Sequence, residues 1–326
     1  MNEEIKGKLF AHIDNDAPSL ISLADMICDN PEVGLEEYKA SGWLSAYLED
    51  RGFSVERGAG GLETAFKGTR SFGCGISLGL LCEYDALEGI GHGCGHHIQG
   101  PAICGCAAAL AETMGSVAGP HPFKVVVYGT PAEETFGGKV TMLKNGCFRD
   151  IDVAIMTHAS SSGTSVDIRT LAMSSYNVSF RGIGSHAAIA PNKGRSALDA
   201  FLLAASGVEF MREHVPPDVR MHYTITGSTG PANVVHESVS ARFALRSYSG
   251  RTLEGVKARF KKIVEGASLM SDTACEVRET VSYDDSVPVR SLMELLMENA
   301  GFVGAPDIRP PRERTGSTDF GNVSRV

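Results

Sequence analysis

The chain has 326 residues, of which 43% are hydrophobic and 21% charged, a composition that excludes wholesale disorder and a length that suggests about two domains. Its net charge of -9 argues against a nucleic-acid or anionic-membrane partner, because phosphate binding needs clustered Lys and Arg. No stretch nears the ~18 apolar residues of a bilayer span. The acidic start Met1-Asn-Glu-Glu-Ile-Lys-Gly-Lys8 has no apolar run behind a basic segment, so no secretory signal is expected.

Ile5 to Ile13 and Ser19 to Cys28 carry apolar residues at helical spacing, and Ala40 to Arg51 repeats the pattern up to the stop signal Gly52. Three short apolar runs follow, Gly75–Cys82, Lys124–Tyr128 and Asp152–Met156, separated by helix-like segments at Pro101–Met114 and Gly138–Asn145. Strands alternating with helices predict an α/β sheet covered on both faces. From Ser174 the order changes. Tyr176–Phe180 alternates like a strand, and Ser196–His214 reads as a helix with Leu198, Phe201, Leu202, Ala205 and Val208 on one side. Its start, Ser196-x-x-Asp199, resembles a capping box. Strands at Arg220–Ile225 and Val239–Leu245, a helix at Thr252–Ala267 and a strand at Cys275–Tyr283 complete a β-α-β-β-α-β order. That is the ferredoxin-like arrangement, a unit that can be inserted in a larger domain because its ends lie close together. The helix Ser291–Ala300 then returns the chain to the first domain. The expected division is 1–173 with 289–326, and 174–288.

Each of the three strands of the first domain is followed by a polar cluster. These are Glu83-Tyr-Asp-Ala-Leu-Glu-Gly-Ile-Gly-His-Gly-Cys-Gly-His-His97, Thr130-Pro-Ala-Glu-Glu134 and Thr157-His158. Ligands bind outside the carboxyl ends of strands in open α/β sheets, so the three clusters can converge. Cys94 and His96 are separated by one glycine, and Gly93 and Gly95 permit unusual backbone there. Thiolate, imidazole and carboxylate together suit zinc, or manganese, cobalt or nickel. Of Glu133 and Glu134, one can bind metal while its neighbour takes a proton from the attacking water. The bland readings are a buried thiol on a turn, a hydrogen-bonded lone His and a solvated Glu pair; they must explain four candidates at three strand ends. His92 and His97 are not expected to be ligands. His12, His121 and His214 read as surface or packing residues, and Cys82, Cys104, Cys106, Cys147 and Cys275 as core or partly buried thiols. Eight cysteines without a Cys-x-x-Cys pair predict free thiols and a cytoplasmic protein.

The segments Glu83-Tyr-Asp-Ala-Leu…Gly-His-Gly-Cys-Gly-His96, Gly129-Thr-Pro-Ala-Glu-Glu134 and Met156-Thr-His158 resemble the dinuclear-metal aminoacylase and carboxypeptidase family of metallopeptidases. The branch resembled holds aminobenzoyl-glutamate hydrolase, indoleacetyl-amino-acid hydrolases and some dipeptidases. The resemblance continues through Gly184–Asp199, Gly230–Val235 and Thr315–Asn322. It implies a zinc-exopeptidase-like α/β catalytic domain with helices on both faces of a mixed sheet, plus an inserted ferredoxin-like lid that carries a homodimer contact. By position it implies two divalent ions on Cys94, His96, Glu134 and His158, with Glu133 as general base and Asp85 orienting a ligand. In the lid it implies that His222 reaches the partner subunit's active site, and that Asn233 and Arg246 hold the substrate carboxylate; His186 is a weaker candidate. An Arg there would offer a bidentate pair, against the plain readings of a strand-surface Arg and a turn Asn.

Two departures stand out. Glu83 occupies a position where other branches have a metal-binding His. The family also has a metal-binding His beyond the Gly-Ser-Thr-Asp segment, whereas this chain reaches Val326, in what reads as the start of a strand, with no His after His236. Either the sequence is incomplete or one metal site lacks a ligand, so fewer than two metals are expected in this form. The implied activity is hydrolysis of the amide bond of N-acyl or N-aroyl amino acids, aminobenzoyl-glutamate-like compounds among them. The alternatives are a dipeptidase of the same chemistry and a non-catalytic metal-binding relative.

Overall fold

The computed structural model describes residues 3–117, 122–161, 163–228, 230–313 and 315–326. The chain divides into two compact units. The first comprises Met1–Val166, Pro288–Pro311 and Thr318–Val326, the second Asp167–Val287 and Arg312–Ser317.

The first unit opens with one long helix, α1 (Glu3–Asp29), where two were expected, and it runs through Pro18. A proline inside a helix forfeits one backbone hydrogen bond and crowds the preceding turn. Here side chains hold that turn: Asp16 takes an ion pair from Arg51 at 2.5 Å and a hydrogen bond from the Tyr47 hydroxyl, both on α2 or its cap (α2, Tyr38–Asp50). A hairpin follows, β1 (Ser54–Arg57) and β2 (Phe66–Ser71), which the sequence pattern did not reveal because polar residues and Gly68 interrupt it. Next come β3 (Ile76–Cys82), α3 (His96–Val117), β4 (Phe123–Gly129), α4 (Gly138–Lys144) and β5 (Val153–Met156).

The sheet order is β1-β2-β4-β3-β5, with β4, β3 and β5 parallel and β2 antiparallel to β4. Val125 and Val127 face a core with Leu23, Leu44 and Ile103, while Val126 and Tyr128 face the opposite one with Met142 and Phe148. Both faces are therefore buried, which is why these strands read as unbroken apolar runs. Each removed isoleucine- or valine-sized side chain here would cost about 1.5–3 kcal/mol of burial.

The second unit is built from β6 (Ala172–Arg181), β7 (Ser185–His186), α5 (Ala197–Arg212), β8 (Arg220–Ser228), β9 (Val234–Val235), β10 (Ser238–Ser247), α6 (Gly250–Ser271) and β11 (Ala274–Tyr283). Its main sheet runs β11-β6-β10-β8, all antiparallel, the strand order of a ferredoxin-like layer. Ser196 caps α5 by accepting from the Asp199 amide at 3.1 Å. Phe201, Ala204, Ala205 and Val208 of α5 pack on Tyr176, Phe243 and Phe260. Leu202, expected on that face, lies one position round the helix and is 52% exposed. The expected boundary at residue 173 falls inside β6, whose alternation of buried residues already begins at Ala172. Arg312–Ser317 also belongs to this unit, tied by Arg312 to Asp167 at 2.6 Å.

The chain returns to the first unit with α7 (Arg290–Phe302) and ends with α8 (Phe320–Val323), a helical turn where a strand start was expected. Cys82 and Cys104 are buried as expected, but Cys106 lies on the exposed side of α3. His12 and His214 are exposed; His121 lies outside the described residues. Among the described residues no helix is long and apolar enough to cross a membrane.

Candidate metal centre

Strand register brings the three clusters together. Cys82 pairs with Gly129, and Leu81 with Met156, so β3, β4 and β5 end level and Glu83, Thr130 and Thr157 emerge side by side. Thr130 ties its end back by donating from amide and hydroxyl to the Cys82 carbonyl, at 2.8 and 3.0 Å. Gln99 of α3 donates to the Thr157 carbonyl at 2.5 Å.

His96 is the first residue of α3 and is 1% exposed. Gly95 before it has φ +82°, and a Cβ there would lie 2.6 Å from Ala159 Cβ. Only glycine therefore lets this turn approach the His158 segment; Gly93 has no such φ. His96 Nδ1 lies 3.0 Å from the Asp85 carboxylate and 3.0 Å from the Asp85 carbonyl. Two acceptors place the proton on Nδ1 and leave a lone pair on Nε2. His158 Nδ1 faces the Ala159 carbonyl at 2.7 Å, which fixes the same tautomer. The two Nε2 atoms are 3.3 Å apart. Two lone pairs at that distance repel unless a cation sits between them. Two nitrogens about 2.05 Å from one tetrahedral zinc ion would be about 3.3 Å apart.

The charges agree. Burial pulls His96 down, yet the Asp85 hydrogen bond and the charges of Glu83, Asp85 and Glu133 lift its pKa to about 9. A pocket that binds a proton this tightly has the potential to bind a divalent ion instead. Donor atoms of Glu83, His96 and His158, and of His96, Glu133 and Glu134, each converge within 4.8 Å. Cys94 belongs to neither trio. Its thiol hydrogen-bonds the Glu134 carboxylate and is pushed up to about 12, by burial first and then by Glu134, Glu133 and Asp85. Only a cation beside it would turn that thiol into a thiolate ligand. Asp85 spends its other oxygen on the Glu134 amide, at 3.0 Å, so it braces His96 and Glu134 together. His92 and His97 pack on each other at 5.2 Å between ring centroids, outside these trios.

Three further residues were invisible as site residues in the sequence. Lys139, at the start of α4, is fully buried; its ammonium lies 2.5 Å from Glu83 and 2.7 Å from Asp319. Both carboxylates hold its proton on against the cost of burial. Gly138 makes this possible, since a Cβ there would meet the Pro131 carbonyl oxygen at 2.0 Å. The third is Glu37, also fully buried. It accepts from the Ala132 amide at 2.8 Å and the Thr64 hydroxyl at 2.9 Å. Ala132 has φ +58°, a left-handed conformation costly for a residue with a Cβ, so Glu37 holds the strained turn that presents Glu133 and Glu134. Nothing in Glu36-Glu37 distinguishes it from a solvated pair.

Burial lifts the Glu37 carboxyl from 4.5 to about 7, against hydrogen bonds from its own backbone, Thr64 and Ala132. A carboxyl raised in the folded state binds its proton more tightly there. Its contribution is therefore intact below pH 4.5 and is lost as pH climbs to 7. The size is roughly 3 kcal/mol. Between pH 5 and pH 8 the wild-type protein is expected to lose about that much more stability than Glu37→Gln, read by urea unfolding at both pH values. Parallel pH profiles for the two proteins would refute this role.

In the second unit His222 is exposed on β8, and Asn233 is exposed with its carbonyl accepting from the Ala187 amide at 2.9 Å. His186 is exposed too, its Nδ1 accepting from the amides of Ala188 and Ile189. Arg246 is half-buried, 3.3 Å from the Ser317 hydroxyl, and its Nε has no hydrogen-bond partner among the described residues.

Residues 81–326 match the model of peptidase family M20/M25/M40. The chain is 34% identical to a p-aminobenzoyl-glutamate hydrolase of Escherichia coli K12, over 90% of its own length, and it spans only 64% of that protein's. It is 31% identical to Xaa-Arg dipeptidase of Mus musculus, over 99% of this chain and 78% of that one. In fold it is similar to the aminobenzoyl-glutamate utilization protein of Klebsiella pneumoniae, with TM-score 0.78 and 21% identity over 97% of this chain and 89% of the other. A dinuclear metal-binding M20 peptidase of Bacillus subtilis gives TM-score 0.69 at 15% identity, over 94% and 84% of the two chains. A mixed sheet with three level parallel strand ends, paired imidazoles, an adjacent glutamate pair and a match over residues 81–326 place this chain in the M20/M25/M40 peptidase family.

Proposed function

We propose that the protein is a metal-dependent amidohydrolase that cleaves the amide bond of N-acyl or N-aroyl amino acids. The observation that carries this reading is the pair of imidazole lone pairs at 3.3 Å beside the glutamate pair Glu133 and Glu134. The donor set fits two divalent ions, zinc or manganese, cobalt or nickel, on Cys94, His96, Glu134 and His158. Such ions would polarise the scissile carbonyl and acidify a water. Glu133 takes the proton of the attacking water and passes it to the leaving amine. Asp85 keeps His96 in one tautomer throughout.

The second unit is read as a lid that carries a homodimer contact. His222 of one subunit would then stabilise the oxyanion in the other subunit's site, and Asn233 and Arg246 would hold the substrate carboxylate. The exposed edge strand β8 and the unpartnered Arg246 Nε support this. The p-aminobenzoyl-glutamate hydrolase relative supports an aroyl-amino acid substrate; the Xaa-Arg dipeptidase relatives support a dipeptide with the same free carboxylate. All eight cysteines are free, which supports a cytoplasmic setting; cysteine pairs oxidised in protein taken directly from cells would count against it.

The test is a panel of N-acetyl and N-benzoyl amino acids, aminobenzoyl-glutamate and dipeptides, assayed with zinc or manganese and after chelation. Turnover that chelation abolishes and metal restores is expected, and the preferred compound separates the aroyl-amino acid reading from the dipeptide one. Metal binding without turnover of any member would leave only the non-catalytic reading. Sedimentation of the same preparation reads the dimer directly, and a monomer at micromolar concentration would remove it.

A further inference from the structure

We propose that Glu83 is itself a metal ligand, aimed by the buried Lys139 and Asp319, and that it shares an ion with His96 and His158. The assignment rests on the divalent-metal reading above and goes past its ligand set.

Glu83 is fully buried and its two oxygens have different surroundings. Oε1 receives the Lys139 ammonium at 2.5 Å. Oε2 is buried with no hydrogen-bond partner among the described residues. A carboxylate oxygen left without a donor inside a protein is costly, on the order of 1–3 kcal/mol or more for a charged group. It persists only where something compensates it. This oxygen points at the histidine pair: Oε2 lies 3.4 Å from His96 Nε2, and Glu83, His96 and His158 offer three donor atoms within 4.8 Å of one another. A carboxylate oxygen and an imidazole nitrogen on one tetrahedral zinc would be about 3.3–3.5 Å apart. The nitrogen–nitrogen and oxygen–nitrogen separations therefore both match edges of one coordination shell.

Lys139 supplies the aim. Its ammonium is pinned from the far side by Asp319 at 2.7 Å, and Asp319 also accepts from the Lys139 amide at 3.0 Å. A lysine held at both side chain and backbone cannot follow a moving carboxylate, so it fixes Glu83 Oε1 and with it the direction of Oε2. The charges add up the same way. Two carboxylates against one ammonium leave one negative charge, and it resides where the imidazoles converge.

A counter-ion role for Glu83 alone predicts something different, and metal binding separates the two without reference to activity. Metal-free wild type, Glu83→Gln, Glu83→Asp and Asp319→Asn would be titrated with Co2+, read by visible absorbance and by calorimetry. Circular dichroism and urea midpoints of the metal-free proteins would accompany the titrations. Glu83→Gln keeps an acceptor for Lys139 and loses the ligand oxygen; its Kd is expected to rise about 10- to 100-fold, with a changed Co2+ spectrum. Glu83→Asp keeps the charge beside Lys139 and shortens the reach toward His96; its Kd is expected to rise about tenfold even if the glutamine variant folds poorly. Asp319→Asn leaves the Lys139–Glu83 pair in place, and its Kd is expected to stay within about threefold of wild type with the spectrum unchanged. Equal losses in Glu83→Gln and Asp319→Asn, or wild-type affinity in both Glu83 variants, would overturn the assignment while leaving the proposed function standing. A wild-type chain that binds no Co2+ would overturn both.

Discussion

Glu133→Gln is expected to keep its bound metal and lose about 10²- to 10⁴-fold in kcat, whereas Glu134→Gln is expected to lose the metal itself. The two residues are adjacent in sequence, so a difference between them reads geometry rather than general damage. Glu134 is committed on both sides: its amide donates to Asp85 at 3.0 Å and its carboxylate takes the Cys94 thiol. Glu133 sits in a more negative environment. Burial, then Glu83 and Asp319, lift its carboxyl to about 9, with Lys139 opposing and Glu134 adding to the rise. That value belongs to a site without its cation. A divalent ion among the same groups reverses the local field and returns Glu133 to the carboxylate form that a base requires. Glutamine has nearly the same shape but cannot accept the proton. Elemental analysis beside steady-state kinetics distinguishes the two variants. Equal metal loss in both would overturn the division of labour.

Lys139→Met is expected to cost about 3–5 kcal/mol of stability at pH 8, because it strands two buried carboxylates that shared one ammonium. Methionine fills a similar volume, so the loss reports charge rather than a cavity. The sign with pH follows from linkage. Without Lys139, burial and mutual repulsion raise the carboxyls of Glu83 and Asp319 above their unfolded values. A raised carboxyl favours the folded state at low pH and disfavours it as pH rises. The gap between wild type and variant should therefore narrow as pH falls from 8 toward 5, in urea unfolding of the metal-free proteins. A gap that is constant with pH would mean that Lys139 acts through packing alone.

What could be read in the sequence was whatever repeats locally. Alternating apolar residues at Tyr176–Phe180 and Val239–Leu245 announced β6 and β10, because one face of that sheet is buried and the other is wet. The parallel strands were legible as apolar runs, and His96 and His158 as polar residues just past them. The hairpin β1–β2 was missed because Phe66-Lys-Gly-Thr-Arg-Ser71 has a single large apolar residue. The unbroken α1 was missed because Pro18 reads as a stop unless Arg51 and Tyr47, over 25 residues later, are known to hold Asp16. Lys139 is the extreme case. A lysine opening a helix after two glycines reads as a surface residue, and what buries it is an aspartate far along the chain. Charge compensation across such separations has no periodicity, so no local pattern reports it.

The Lys139–Asp319 contact spans 180 residues, which gives the pocket an order of assembly. A ribosome adds about 5–20 residues each second, so roughly 9–36 s separate the appearance of the ammonium from that of its second carboxylate. Glu83, made earlier, is the partner available to Lys139 through that interval. During synthesis the two would form a one-to-one pair that is electrically neutral. The surplus negative charge that favours a divalent ion enters with Asp319, which couples metal capture to the arrival of one of the last segments of this sequence.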